Sequence, residues 1–197
     1  THVYSIGTND DDVDIFALRI SVSPKTPDPK KIGQLIVSTH HGNELATPTF
    51  TLAFIADLLK RYSSDELWRG NLADMEWTII PVLNISGYNA NQREEKGRDP
   101  NRDYASPCLS TPGGKLKSIR MLMDLLKTRT FTGSVTVHGY HGSFTYPWGL
   151  YADDYRTQDD NQYRQIFSKA VSVNGYVTGT ASDVVYPANG CYEDYVY

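Results

Sequence analysis

Five histidines occur in the chain, and four fall into two tight pairs, His40/His41 and His138/His141. His41 and Glu44 form an H-x-x-E pair. Side chains three residues apart on a turn or at a helix start share a face and can converge on one ion. A catalytic zinc takes three protein ligands from His and carboxylate and leaves a fourth position for water. The third ligand must then come from far along the chain. His138 fits, because it ends the β-branched run Val135-Thr136-Val137 and precedes Gly139-Tyr140. Zinc held there would lower the pKa of its water and polarise a substrate carbonyl. H-x-x-E by itself matches by chance in many chains, and a lone strand-end His is more often a hydrogen-bonded structural residue.

A third segment changes that balance. Asn84-Ile85-Ser86-Gly87-Tyr88, then Arg93, then Gly97-Arg98-Asp99-Pro100-Asn101-Arg102-Asp103-Tyr104 place cationic and amide groups between the two histidine clusters. Arg is the side chain best shaped for bidentate capture of a carboxylate. Alone, this loop reads as a solvated polar connection. The stretch from Asn84 to Gly114 is long, and long loops in compact domains are usually functional or disordered.

The elements that must position these residues follow from periodicity. Ile15 to Ile20, Leu35-Ile36-Val37, Trp77 to Val82 and Val135-Thr136-Val137 are apolar, β-branched runs that predict strands. Leu52, Ile55, Ala56 and Leu59 recur at i, i+3, i+4, i+7 and predict a helix from about Pro48 to Tyr62. Ile119, Leu122, Met123 and Leu126 predict a second helix, and Tyr163, Ile166, Phe167 and Ala170 a third. Ser23 to Pro29 holds three prolines and reads as a loop. Alternating strands and helices imply an α/β sheet, whose ligand sites lie beyond the carboxyl ends of its strands. His41 and His138 both stand just past such a run.

The chain has 197 residues, 40% of them hydrophobic, enough for one domain with a real core. Its net charge of -4 gives no basic face for nucleic acid or an acidic membrane surface. No window approaches the roughly 20 apolar residues of a membrane span. Asp10-Asp11-Asp12 reads as a solvated turn. Cys108 and Cys191 read equally as one disulfide or two free thiols, and two cysteines do not fix the compartment. His40 reads as a neighbour in the strand-end turn, and His141 equally as a partner of the site or a surface residue.

The ordered set of segments resembles the zinc metallocarboxypeptidases of the carboxypeptidase A type, the funnelins. Their pattern is H-x-x-E, N-x-x-G with a downstream Arg, D-x-N-R, a strand ending H-x-Y, then Y-P-x-G. This chain has His41 to Glu44, Asn84 to Gly87, Arg93, Asp99 to Arg102, His138 to Tyr140 and Tyr146 to Gly149, in that order. The resemblance runs from about residue 4 to 197. It implies an α/β fold: a mixed, mostly parallel sheet flanked by helices on both faces. It implies Zn2+ held by His41, Glu44 and His138. Arg93 matches the arginine that polarises the scissile carbonyl. Asn101 and Arg102 match the pair that grips the substrate's C-terminal carboxylate, and Asp99 the carboxylate that orients a zinc histidine. Gly149 lines up near the pocket for the C-terminal side chain, and Tyr197 with the mobile tyrosine that closes over the substrate.

The implied activity is zinc-dependent release of a C-terminal residue from a peptide with a free carboxylate. The implied compartment is secreted or periplasmic rather than cytoplasmic. Two departures bear on this. Asn43 stands where digestive carboxypeptidases have Arg, and H-G-N-E also resembles aspartoacylase-like deacylases and murein peptide amidases. The family's general-base glutamate lies on a strand beyond the closing tyrosine, and Glu193 belongs to the tyrosine loop. The expectation is therefore one catalytic domain over residues 1–197, incomplete at its C-terminus, completed by a second chain or a further segment. The rival readings are a peptidoglycan peptidase, an aspartoacylase-like amide deacylase, and a non-catalytic zinc-binding or peptide-binding domain.

Overall fold

The computed structural model describes residues 1–106, 108, 110, 112–151 and 155–197. The chain divides into two compact units, one of residues 1–100 and 114–139, the other of residues 101–113 and 140–197.

The first unit holds β1 (His2–Thr8), β2 (Asp14–Ile20), β3 (Ile32–Ser38), α1 (Ala46–Ser64), α2 (Glu66–Ala73), β4 (Met75–Ile80), α3 (Ile85–Ala90), α4 (Lys117–Thr128) and β5 (Gly133–Val137). Its strands form one sheet in the order β1-β2-β4-β3-β5. The β1/β2 and β2/β4 pairs are antiparallel, while β3 pairs in parallel with both β4 and β5. Side chains alternate between faces along a strand. On β3, Ile36 joins Ile20, Ile79 and the α1 residues Ile55 and Leu58 in one cluster. Leu35 and Val37 point the other way and are equally buried, so both faces of this central strand are covered.

The expected strands are all present, and β3 extends back to Ile32 because Ile32 and Gly33 pair with Met75 and Glu76. α1 is longer than its periodicity predicts, and its buried face has a different phase. Thr47, Pro48, Thr51, Ile55 and Leu58 are buried, whereas Leu52 is 57% exposed. The early buried positions are threonines that satisfy their own hydroxyls. Thr47 Oγ1 donates to the Glu44 carbonyl at 2.8 Å, and Thr51 Oγ1 to the Thr47 carbonyl at 2.9 Å. A hydroxyl bonded to its own helix can be buried, so an apolar count misses these positions. Pro48 sits in the first turn, where its missing N–H removes no helical bond. Asp65 ends α1 in an extended conformation, and its carboxylate accepts from the Leu67 and Trp68 amides to start α2.

The second unit holds β6 (Ser143–Tyr146), α5 (Asp160–Val171), β7 (Val177–Thr180), α6 (Ala181–Val184) and α7 (Tyr192–Val196). β6 and β7 pair in parallel. With that ladder, three of the five strand pairings among the described residues are parallel, as the mixed, mostly parallel expectation has it. α5 is the third helix the periodicity predicts, but none of its residues is buried and Ile166 is 60% exposed. Its aromatic side instead meets β6: Tyr146 stacks on Tyr163 at 5.0 Å and on Phe167 at 5.5 Å between ring centroids.

Candidate metal centre

The turn after β3 is fixed by its neighbours before any functional side chain is placed. Thr39 adopts φ of 60°, a left-handed conformation uncommon for a β-branched residue. Its hydroxyl meets Thr47 Oγ1 at 2.8 Å and donates to the Pro81 carbonyl at 3.1 Å. The Leu83 and Asn84 amides donate to the Ser38 and Thr39 carbonyls, tying the exits of β3 and β4 together. Asn84 is fully buried and acts as a staple. Its Oδ1 accepts from the Gly87 amide at 2.8 Å, while Nδ2 donates to the His40 and Arg93 carbonyls, each at 3.2 Å. This is the physical content of the N-x-x-G segment. Gly42 runs so close to it that a Cβ there would lie 2.1 Å from the Gly87 carbonyl carbon.

His41 leaves this turn with its ring 6% exposed and both nitrogens engaged. Nδ1 stands 2.7 Å from Glu44 Oε1, and Nε2 stands 3.1 Å from Asp99 Oδ1. The β3/β5 register aligns Ser38 with Val137, so His138 emerges beside the same turn. His138 Nδ1 lies 3.2 Å from His41 Nδ1 and 3.1 Å from Glu44 Oε2. The Gly139 amide donates to Glu44 Oε2 at 2.9 Å, a contact with no side-chain signal in the sequence. His40 is fully buried, and its ring stacks on His138 at 5.4 Å. Arg93 donates to Asp99 Oδ2 through both Nε, at 3.0 Å, and Nη2, at 2.8 Å.

The electrostatics match a cation site. Burial pushes Glu44 up, but the hydrogen bonds and charges of His138 and His41 outweigh it and hold the carboxyl at about 2. Burial likewise works against the charged state of His41, yet Asp99 and Glu44 raise its pKa above the ordinary value. Asp99 is also opposed by burial and is held well below the usual carboxylate range by His41 and Arg93. His40 lies well below its ordinary value, because burial and then His138 and His41 disfavour its charge.

His41, Glu44 and His138 offer donor atoms that all lie within 4.8 Å of one another. Ligands about 2.0–2.2 Å from a tetrahedral zinc stand roughly 3.3–3.5 Å apart, close to the observed separations. His41 Nδ1, His138 Nδ1 and the Glu44 carboxylate converge on one position. A divalent cation fits that position and satisfies all three at once, so the residues present fit zinc.

The remaining residues singled out by sequence lie in the second unit. Asn101 Oδ1 accepts from the Tyr192 amide at 2.9 Å. Arg102 Nη2 donates to the Tyr186 hydroxyl at 3.0 Å, and Nη1 to Cys191 Sγ at 3.4 Å. Both cysteines are free thiols, Cys108 exposed and Cys191 buried. The Gly149 and Leu150 amides donate to the two oxygens of Asp194 at 2.7 and 2.8 Å. Burial raises Asp194 to about 6 in spite of these bonds. Tyr197 packs edge-on against Trp148 and donates to Asp159 Oδ2 at 3.0 Å. His141 contacts Ser143 Oγ at 3.2 Å within this unit. Sequence reasoning missed Tyr186 and Asp194 as supports, since each acts across tens of residues.

A sequence profile described as "Zinc carboxypeptidase" matches residues 1–197. Carboxypeptidase B of Rattus norvegicus is 24% identical over 230 residues, covering 98% of this chain and 54% of that protein. The crystal structure of thrombin activatable fibrinolysis inhibitor superposes with a TM-score of 0.84 at 21% identity, covering 100% of this chain and 57% of that one. Carboxypeptidase A from Helicoverpa armigera does so with a TM-score of 0.82 at 19% identity, covering 99% and 56%. These structures share the fold. The chain spans about half the length of the curated relatives it matches.

Proposed function

The chain belongs to the zinc carboxypeptidase family, and from that premise we propose that it hydrolyses the last peptide bond of substrates with a free C-terminal carboxylate. The observation that supports this most is the convergence of His41, Glu44 and His138 within 4.8 Å. Zn2+, the family's cofactor, would be held by these three residues, and when bound it supplies a Lewis acid and an activated water.

The other roles belong to this chain's own groups. Asp99 orients His41 by accepting from Nε2. Arg93, anchored on Asp99 through Nε and Nη2, presents its remaining edge to the scissile carbonyl oxygen, where negative charge develops. Asn101 and Arg102 take the substrate's terminal carboxylate, with Tyr186 holding the Arg102 fork in place. Tyr197 closes over the bound peptide, and Gly149 stands near the pocket for its last side chain. Residues 1–197 serve in one catalytic domain, and the enzyme works in a secreted or periplasmic compartment. No helix among the described residues is long and apolar enough to cross a membrane.

The test uses the full-length protein and paired acyl-dipeptides that differ only in a free or amidated C-terminus. Cleavage of the free acid is expected to exceed that of the amide by at least about 100-fold, because the amide leaves the carboxylate-binding groups unpaired. Chelation should abolish cleavage, and added zinc should restore it. Equal cleavage of acid and amide would rule out the exopeptidase reading. Asn43 before Glu44 keeps murein peptides, which also end in carboxylates, within the substrate class, and the same pairing of acid and amide can be made with them.

A further inference from the structure

Asp99 meets His41 with one oxygen and Arg93 with the other. Oδ1 faces His41 Nε2 at 3.1 Å, and Oδ2 accepts both donors of the Arg93 fork at 3.0 and 2.8 Å. An ionised carboxylate only accepts, so His41 carries a proton on Nε2 and keeps Nδ1 for the metal. The backbone of Arg93 is tied to the same turn. Its carbonyl accepts from the Gly42 amide, one residue past His41, and from Asn84 Nδ2, each at 3.2 Å. Arg93 is thus fixed at both ends relative to the ring it approaches through Asp99.

We propose that Arg93 is a positioning residue for the metal centre, acting through Asp99 on the orientation and tautomer of His41. This deepens the zinc reading of His41, Glu44 and His138 and rests on it. The role is separate from any contact with a carbonyl oxygen, because it is exercised before substrate arrives. It also predicts a sign that plain electrostatics does not. A guanidinium near a zinc ion repels it, so its removal by charge alone would tighten zinc binding. A clamp on Asp99 predicts the reverse, since loss of the two Arg93 bonds weakens the hold on the carboxylate that faces Nε2.

The experiment is a zinc competition titration against a chromophoric chelator on the full-length protein, with thermal melts of each metal-free variant recorded alongside. Wild type is measured first and should bind one zinc that His41→Ala does not. If wild type binds none, the zinc reading fails and this proposal falls with it. Given wild-type binding, Arg93→Ala should weaken zinc about tenfold, at the low end of losses for an outer partner of a metal ligand. Arg93→Lys keeps a cation on Oδ2 and should recover most of that loss. In an Asp99→Asn background, Arg93→Ala should add nothing. Unchanged or tighter zinc binding in Arg93→Ala overturns the proposal. So does a loss of equal size in the Asp99→Asn background, which would mean that Arg93 acts by another route. If Arg93→Ala does not fold, Arg93→Lys and its pairing with Asp99→Asn decide by the same criteria.

Discussion

At the amino end of β4, Glu76 is fully buried against Arg19 and Arg129; beyond the carboxyl ends of β3 and β5, Glu44 lies between His41 and His138. Both are carboxylates at the ends of the same parallel strands. Around Glu76, the Arg129 Nη1 and Arg19 Nε groups meet Oε1, and the Asp28 amide reaches Oε2 at 3.4 Å. The guanidiniums turn other donors onto main-chain oxygens, Arg19 to Pro24 and Arg129 to Lys31. Each of these partners is a donor, so the charge is neutralised from within. Around Glu44 one partner is a donor, the Gly139 amide, but the other two are imidazole nitrogens, whose lone pairs face the carboxylate and one another unless a proton or a metal ion intervenes. The identity of the basic group decides whether a buried carboxylate is neutralised from within or can share a cation with its neighbours.

The largest effect should come from breaking the self-contained cluster. Glu76→Gln leaves two guanidiniums without their counter-ion and should lower stability by about 3–5 kcal/mol in urea unfolding. Replacing all three residues together, Arg19→Met, Glu76→Leu and Arg129→Met, should be neutral or stabilising by about 1–4 kcal/mol. A loss in the triple variant as large as in Glu76→Gln would show that this cluster is more than a neutralised charge.

The opposite signature is expected at the other end. His41→Ala should weaken zinc binding by more than roughly 100-fold, beyond what an outer partner costs, and leave the metal-free protein folded. If circular dichroism instead shows the metal-free variant unfolded, His41 is holding up the fold, and the contrast between the clusters collapses.

Asp194 sharpens the comparison with a carboxylate whose two oxygens accept from main-chain amides, a third kind of partner beside guanidinium and imidazole. Burial raises it from 3.8 to about 6 in the folded protein. Between these values the folded state binds more protons than the unfolded one, so this group's stabilising contribution is complete below about pH 4 and is lost as pH rises through about 6. Asp194→Asn should flatten that part of the stability profile, read from urea midpoints between about pH 4 and 7. An identical slope in the variant would remove Asp194 as its source.

The legible parts of this molecule are those written over short distances. The β-branched runs at Leu35 to Val37 and Val135 to Val137 become strands, and the H-x-x-E spacing puts His41 and Glu44 within 2.7 Å. The phase of α1 is not legible, because Thr47 and Thr51 hide their hydroxyls in the helix and so take positions that a hydropathy pattern gives to leucine. Glu76 lies just before the apolar run that predicts its strand, and its burial rests on Arg19 and Arg129, which are distant in the chain. The β6/β7 pair joins short segments separated by a helix, and neither carries a strong apolar run.

Sequence alone determined the donor chemistry: two histidines and a glutamate of the right kinds, two of them three residues apart, each histidine at the end of a strand-forming run. Those features follow from residue type and local geometry. Tertiary structure decided which distant groups complete them. The parallel register that sets Ser38 opposite Val137 brings His138 to His41 across 97 residues, and the Asn84 staple brings Arg93 and Asp99 to the same ring. A one-residue slip of β5 would turn its side chains to the other face, and register depends on packing throughout the sheet, which no local stretch of the chain encodes.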